Sequence, residues 1–271
     1  MNIVLQDTTF RQLRDFIYEK SGIYVPDMKK YLLENRLLKR VQENNLNSFE
    51  DYLYRIRYNN CGDELARLYD AITTNETFFF REQQQFDIFT EVVIPEVLKY
   101  KGTKGLQIWS AACSTGEEPY TITLLLREKR ADVRAEIFAS DISDGVLMSA
   151  RKAVYGSYSV RNVPEPYLKK YFKANGQSYE LEPSIRNSVK FMNINLTDEK
   201  RLPSMRNLDI IFCRNVLIYF DDKAKQKVIS LLYDSLRPGG FLFIGASESL
   251  HNLTRAFKPT IINKVIVYQR I

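Results

Sequence analysis

The sequence predicts an α/β fold in two unequal parts: a small all-helical N-terminal domain, then a mostly parallel sheet with helices on both faces and a small β insertion. Apolar residues recur at helical spacing through the first 74 residues. From residue 86 short β-like runs alternate with amphipathic helical stretches, and between 155 and 186 prolines and an Asn-Gly pair interrupt that alternation. With 271 residues, 45% of them apolar, the chain suits one large or two unequal domains and can bury a substantial core.

In the N-terminal segment Thr8 or Thr9 is placed to cap a helix through Phe10, Leu13, Phe16 and Ile17, with Gly22 as its stop. Pro26-Asp27 opens a second helix, from Met28 to about Asn44. Ser48 with Asp51 forms a capping pattern for a third through Tyr52, Leu53 and Ile56, and Asp63 caps a fourth through Leu65, Leu68, Tyr69 and Ile72. Residues 73–85, TTNETFFFREQQQ, fit neither period; three adjacent phenylalanines among polar neighbours read as a linker buried between domains. Strand-like runs follow at 106–111, 136–140, 189–194, 208–213, 240–245 and 265–269, with helical stretches at 118–129, 144–154 and 222–236. The last run follows a loop rather than a long helix, which suits an antiparallel insertion. Within the interruption, pieces at 171–172 and 178–181 around Asn175-Gly176 read as a hairpin. The expected boundaries are therefore 1–74 for the helical domain, 75–85 for the linker and 86–271 for the sheet domain, with its inserted β-subdomain at about 156–188.

The net charge is +6, but residues 1–74 hold 11 basic and 11 acidic residues, so the excess lies wholly beyond them. Such an excess suits an acidic protein or nucleic acid and does not choose between them. Cys61, Cys113 and Cys213 are far apart, with no C-x-x-C pair, which suits a reducing compartment. His251 is the single histidine, so no multi-histidine metal site is expected. The first residues carry charge early, and no apolar run approaches a membrane span, so a cytoplasmic protein without membrane insertion is expected.

The run LQIWSA leads through CSTGEEPYTITLLL, a strand, a tight turn and a helix, the arrangement that presents backbone N–H groups and a helix N-terminus to a ligand. Its single glycine, Gly116, makes no dinucleotide fingerprint. Glu117 and Glu118 would repel phosphate and favour a ligand carrying an ammonium. The next run, AEIFASD, ends in Asp141, where Rossmann-like sheets hold the two ribose hydroxyls of an adenosine; alternatively Asp141 caps the helix that begins near Ser143. A nucleoside with an ammonium and no phosphate describes S-adenosylmethionine.

The segments NETFFFRE (75–82), ACSTGEEPYT (112–121), ASDIS (139–143), NINL (193–196) and FCRNVLIYF (212–220) resemble those of the CheR family of chemotaxis receptor methyltransferases, in the same order and over nearly the whole chain. The resemblance implies a class I methyltransferase sheet and a transfer of methyl from S-adenosylmethionine to receptor glutamates, with S-adenosylhomocysteine as product. It implies that Asn75, Thr77 and Arg81 reach the cofactor, that Glu117 faces its methionyl portion and Asp141 its ribose, that Asn195 and Leu196 lie beside the adenine, and that Arg214 and Asn215 complete the pocket. Arg81 and Tyr219 would lie nearest the transferred methyl. The partner it implies is the cytoplasmic helical domain of chemotaxis receptors, met through the second helix; the protein itself is expected to be a monomer. On a helical wheel Lys29, Arg36, Lys39 and Arg40 share one arc of that helix, opposite Leu33, Leu37, Leu38 and Val41. A glycine-rich loop for receptor tethering is not evident in KANGQSYELEPS.

Two competing readings remain at this level. A nucleic-acid methyltransferase would account for the basic excess, but Arg214-Asn215-Val216-Leu217 lacks the proline-aromatic turn that usually accompanies base methylation. A non-catalytic sensor of the cofactor would not require both Arg81 and Tyr219.

Overall fold

The computed structural model describes residues 3–58, 62–101, 105–200 and 205–271; Cys61 lies outside them. Helices α1 (Asp7–Ser21), α2 (Lys30–Glu43, preceded by a 3₁₀ turn at Asp27–Lys29), α3 (Phe49–Tyr58) and α4 (Gly62–Ile72) close around one apolar core that includes Phe10, Leu13, Leu37, Phe49, Tyr52 and Leu68. Gln6, not Thr8 or Thr9, precedes the first helical residue, and the Thr9 hydroxyl instead donates to the Glu50 carboxylate across the bundle. The Ser48 cap forms as expected: Asp51 N donates to Ser48 Oγ at 3.1 Å and Ser48 Oγ donates to Asp51 Oδ2 at 2.7 Å. Gly22 ends α1 with φ 73°, and a Cβ there would come within 2.7 Å of Thr197 Cγ2. Glycine is thus required both by the left-handed turn and by the close approach of the sheet domain.

Beyond the linker, α5 (Gln83–Ile88), a π-turn (Phe89–Val93) and α6 (Ile94–Lys101) form one rod that the sequence reading missed, because the glutamines at its start and Pro95 within it blur the period. Its Phe86, Phe89, Val93 and Val97 cover one face of the sheet, where Phe212 and Phe243 stack at 4.6 Å between centroids. The sheet comprises β1 (Leu106–Ala111), β2 (Ala135–Asp141), β6 (Val189–Asn193), β7 (Leu208–Cys213), β8 (Leu236–Ile244), β9 (Phe257–Ile262) and β10 (Val265–Arg270), in the order β6-β2-β1-β7-β8-β10-β9. The first five strands in that order are parallel. β10 is antiparallel to both β8 and β9, the expected terminal insertion, now with an edge partner that the sequence reading did not find. Helix α7 (Glu117–Lys129) follows β1 and α8 (Asp144–Lys152) follows β2. The interruption folds as β3 (Val154–Gly156), α9 (Ser157–Val160), α10 (Glu165–Tyr171), β4 (Phe172–Asn175), β5 (Ser178–Leu181) and α11 (Pro183–Arg186), giving a three-stranded sheet in the order β3-β5-β4 rather than a bare hairpin. Helix α12 (Asp222–Ser235) covers the second face, over Trp109, Ile211 and Leu242.

The strand order reverses between β1 and β7. Crevices at the carboxyl ends of strands beside such a switch point are where doubly wound sheets bind ligands.

Candidate active site

The cleft at that switch point opens to solvent between the strand ends, the linker and the turn after α1. After β1 the chain turns through Ala112 (φ 62°) and Ser114 (φ 49°), left-handed conformations that bring backbone N–H groups round to β2. Asp141, 6% exposed at the end of β2, accepts from Ser114 N at 2.9 Å through one oxygen and from Ser143 N at 3.0 Å through the other. Burial pushes its carboxyl above the ordinary aspartate value, against the opposing pull of those backbone bonds. It does not cap α8: Ser143 does, accepting from Val146 N at 3.2 Å.

The linker explains its own odd composition. Phe79 and Phe80 are buried in the core of the sheet domain, held by Phe79 N to Ser159 O at 2.9 Å and Phe80 N to Thr121 Oγ1 at 3.1 Å. Phe78 turns to the cleft wall instead, beside Asn75, Thr77 and Arg81. Two of the three side chains are thus core and one lines the cleft, a division that no single period encodes. Arg81 donates to Glu76 O at 2.8 Å. After β6, Asn195 and Leu196 join the wall, and Asn195 Nδ2 donates to Lys20 O at 2.6 Å, tying the wall to α1. After β7, Arg214, Asn215 and Tyr219 complete it.

Two expectations need correction. Glu117 does not line the cleft; its carboxylate accepts from Thr115 Oγ1 at 2.7 Å, and its neighbour Glu118 faces the cleft. Consecutive helical residues project about 100° apart, and here the two carboxylates turn to different partners. Glu118 accepts from Ser110 Oγ at 2.6 Å and pairs with Arg214 at 2.9 Å. Burial raises its carboxyl, with Arg214 opposing. The second correction concerns the basic stripe of α2. Arg40 turns inward to Glu64 at 2.7 Å, and Arg36 donates to the backbone carbonyl of Ile72 and to Thr74 Oγ1 at 2.6 Å. Lys29 and Lys39 alone of the four are exposed, Lys39 with Glu43 at 3.6 Å. Arginine forks matched to a buried carboxylate and to a backbone carbonyl outweighed the wheel position.

Sequence reasoning also missed Glu82 and Glu248. Glu82 pairs with Arg214 at 3.1 Å and accepts from Asn215 Nδ2 at 3.2 Å; Glu248 accepts from the backbone of Asn215 at 2.8 Å. No local pattern marks either; only the paired glutamates at 117–118 signalled an acidic wall.

The residues fit S-adenosylmethionine. Glu76, Glu118 and Asp141 line the cleft against Arg81 and Arg214, a slight acidic excess that suits a ligand carrying a cation. The Arg214 guanidinium lines the cleft and offers positive charge to a carboxylate such as that of the methionyl end. Asp141 is placed for ribose hydroxyls, and Phe78, Leu196 and Val216 offer apolar surface for a purine.

A doubly wound sheet with an acidic cleft at its switch point is the architecture of a class I S-adenosylmethionine-dependent methyltransferase. The chain belongs to the CheR family: residues 8–73 match the CheR methyltransferase all-alpha domain and residues 75–266 the CheR methyltransferase SAM binding domain. It is 40% identical to chemotaxis protein methyltransferase 2 of Vibrio cholerae, covering 94% of this chain and 90% of that one. It is 35% identical to the chemotaxis protein methyltransferase of Salmonella typhimurium, over 94% and 88%. The likeness to the solved rRNA methyltransferase aviRa of Streptomyces viridochromogenes is loose, with a TM-score of 0.46 and 13% identity over 73% of this chain and 87% of that one. Among the described residues no helix is long and apolar enough to cross a membrane.

Proposed function

We propose that this methyltransferase esterifies glutamate side chains on the cytoplasmic helical domain of chemotaxis receptors, in sensory adaptation. It works as a cytoplasmic monomer whose units are the helical domain 1–74, the linker 75–85 and the sheet domain 86–271. The relatives' names support the receptor as substrate. One observation carries the choice of a carboxylate: Arg81 and Tyr219 both line the cleft, no histidine does, and His251 sits on an exposed turn outside that lining. A glutamate, with a reference pKa of about 4.3, is already an anion at neutral pH and needs no general base.

Bound S-adenosylmethionine supplies an electrophilic methyl on a sulfonium. The chain's own residues bind and align. Asp141 accepts from the ribose hydroxyls, Glu118 faces the ammonium, Arg214 donates to the methionyl carboxylate, and Asn75, Thr77, Asn195, Leu196 and Asn215 shape the remaining walls. Arg81 and the Tyr219 hydroxyl hold the incoming carboxylate in line, a contribution that reaches about 7–11 kcal/mol when alignment is good. Lys29 and Lys39 offer charge to an acidic helix.

Incubation with methyl-labelled cofactor and receptor-bearing membranes tests this. Label on a receptor-sized band, released as methanol in base, is the expected result; label in nucleic acid would replace the reading with nucleic-acid methylation. Tyr219→Phe should lower kcat far more than it changes cofactor affinity, Arg81→Ala should impair both, and His251→Ala should leave the pH profile of kcat/KM unchanged.

A further inference from the structure

Tyr219 sits on a segment that leaves the sheet at Cys213 and crosses to the helical domain. Its far end is fixed by Tyr24 N, which donates to Tyr219 O at 2.9 Å, and by the Ile23–Phe220 bridge. Its near end makes a left-handed turn at Asn215 (φ 57°), a conformation that needs support from its surroundings. That support comes from the loop after β8. There Glu248 folds back, its N–H donating to Gly245 O at 2.9 Å, and places its carboxylate in the middle of the segment. One oxygen accepts from Asn215 N at 2.8 Å and Gly245 N at 2.6 Å; the other accepts from Ile218 N at 3.3 Å, the residue before Tyr219. The two loops approach so closely that a Cβ at Gly245 would lie 2.6 Å from Asn215 Nδ2 and 2.8 Å from Glu248 Oε2. Glu82 grips the same turn from the linker, through Asn215 Nδ2 and Ala246 N at 3.1 Å. Glu248 is not among the residues that line the cofactor cleft.

We infer that Glu248 is a positioning residue for methyl transfer: its carboxylate, by accepting from both ends of the Asn215–Ile218 turn, fixes where the Tyr219 hydroxyl stands. The inference rests on the role given to Tyr219 above. In Glu248→Gln the shape is kept, but an amide N–H replaces one acceptor and faces backbone donors, so the turn loses part of its anchor. A displacement of the order of an ångström at an aligning group costs up to about a hundredfold in rate, so kcat should fall between about tenfold and a hundredfold. Cofactor affinity, read by calorimetric titration, should fall several-fold less than kcat, because Asn215 is one wall residue among many whereas Tyr219 aligns the reacting carboxylate.

The decisive measurement is a double-mutant cycle of kcat with Tyr219→Phe. If Glu248 acts through the hydroxyl, Glu248→Gln should cause little further loss once that hydroxyl is gone. Losses that multiply, or a cofactor affinity that falls as far as kcat, overturn the inference and leave Glu248 a general support of the fold. Wild-type kcat in Tyr219→Phe instead sinks the role given to Tyr219, and this inference with it. If Glu248→Gln does not yield folded protein, Glu248→Asp, which keeps the charge but withdraws it by one methylene, takes its place in the cycle under the same criteria.

Discussion

Arg40 and Arg214 are both largely buried guanidiniums flanked by carboxylates, yet their surroundings finish differently. In the helical domain Arg40 joins α2 to α4 through two bonds to Glu64, at 3.0 and 2.7 Å, and Tyr52 closes the cluster by donating to Glu64 at 2.9 Å. Burial alone would raise Glu64, but the hydrogen bonds from Arg40, Asn44 and Tyr52 hold it below the ordinary glutamate value. In the cleft Arg214 bridges Glu118 and Glu82, donates to Arg81 O at 2.6 Å and lies 4.9 Å from the Phe86 ring centroid, with one nitrogen still unpartnered. There burial wins, and Glu118 is raised. The first cluster joins two helices; the second lines the cleft, where Glu118 is raised although Glu82 beside it is held below the ordinary value, and a raised carboxylate in a cleft marks a candidate functional site.

The sharpest way to break this contrast is to remove each arginine. Arg214→Leu leaves Glu82 and Glu118 facing each other and frees the linker from β7, so it should destabilise by about 3–5 kcal/mol in denaturant unfolding and abolish measurable cofactor binding. Arg40→Leu takes from Glu64 its only cation, leaving Tyr52 and Asn44 as its donors, and should cost about 3 kcal/mol, but cofactor affinity by calorimetric titration should not change. Loss of cofactor binding in Arg40→Leu would mean that the two clusters are one system.

Acid should separate the clusters more gently. Asp141 and Glu118 have raised values, so on acidification they take up protons before ordinary carboxylates do. The ligand-free fold then gains stability from these two groups as pH falls through their folded values toward the unfolded ones, while cofactor affinity declines by up to about tenfold per pH unit for each. Glu64 is lowered, so its stabilising contribution is complete above the unfolded value and is lost only as pH falls through the lower folded one. Calorimetric titration of the cofactor and thermal unfolding across the same pH series should therefore show binding weaken while the helical domain still holds.

The smallest effect belongs to the exposed end of the stripe. Lys29→Glu with Lys39→Glu should raise the receptor KM modestly at low salt and leave cofactor affinity untouched. The difference should vanish as the Debye length falls from about 10 Å at 0.1 M to about 3 Å at 1 M. An equal KM at low salt would assign both lysines to plain solvation.

Much of this was legible in the sequence, for local reasons. Strand β1, helix α7 and β7 follow from short-range period and composition, and Asp141 follows from its place at a strand end, one step from a tight turn. Asn75, Thr77, Arg81, Asn195, Leu196, Arg214, Asn215 and Tyr219 share one cleft, but composition and spacing alone did not assemble them; the order of the motifs in the family resemblance did. Where α10 and β9 were missed, the segments are short and half-exposed, and their apolar residues are fixed by a neighbouring element rather than by a repeat of their own.

What the sequence determined by itself was the alternation that makes a helical unit followed by a parallel sheet, together with the acidic chemistry at the strand ends. Both are written within a few residues of each other. The tertiary structure decided which of two adjacent glutamates faces the cleft, which arginines of a basic stripe turn inward, and what holds the turn that carries Tyr219. Those choices depend on partners far apart in the chain: Glu82 meets Arg214 across 132 residues and Asn215 meets Glu248 across 33. A side chain's direction is set by the strongest partner the fold brings within reach, and that partner has no fixed spacing from it.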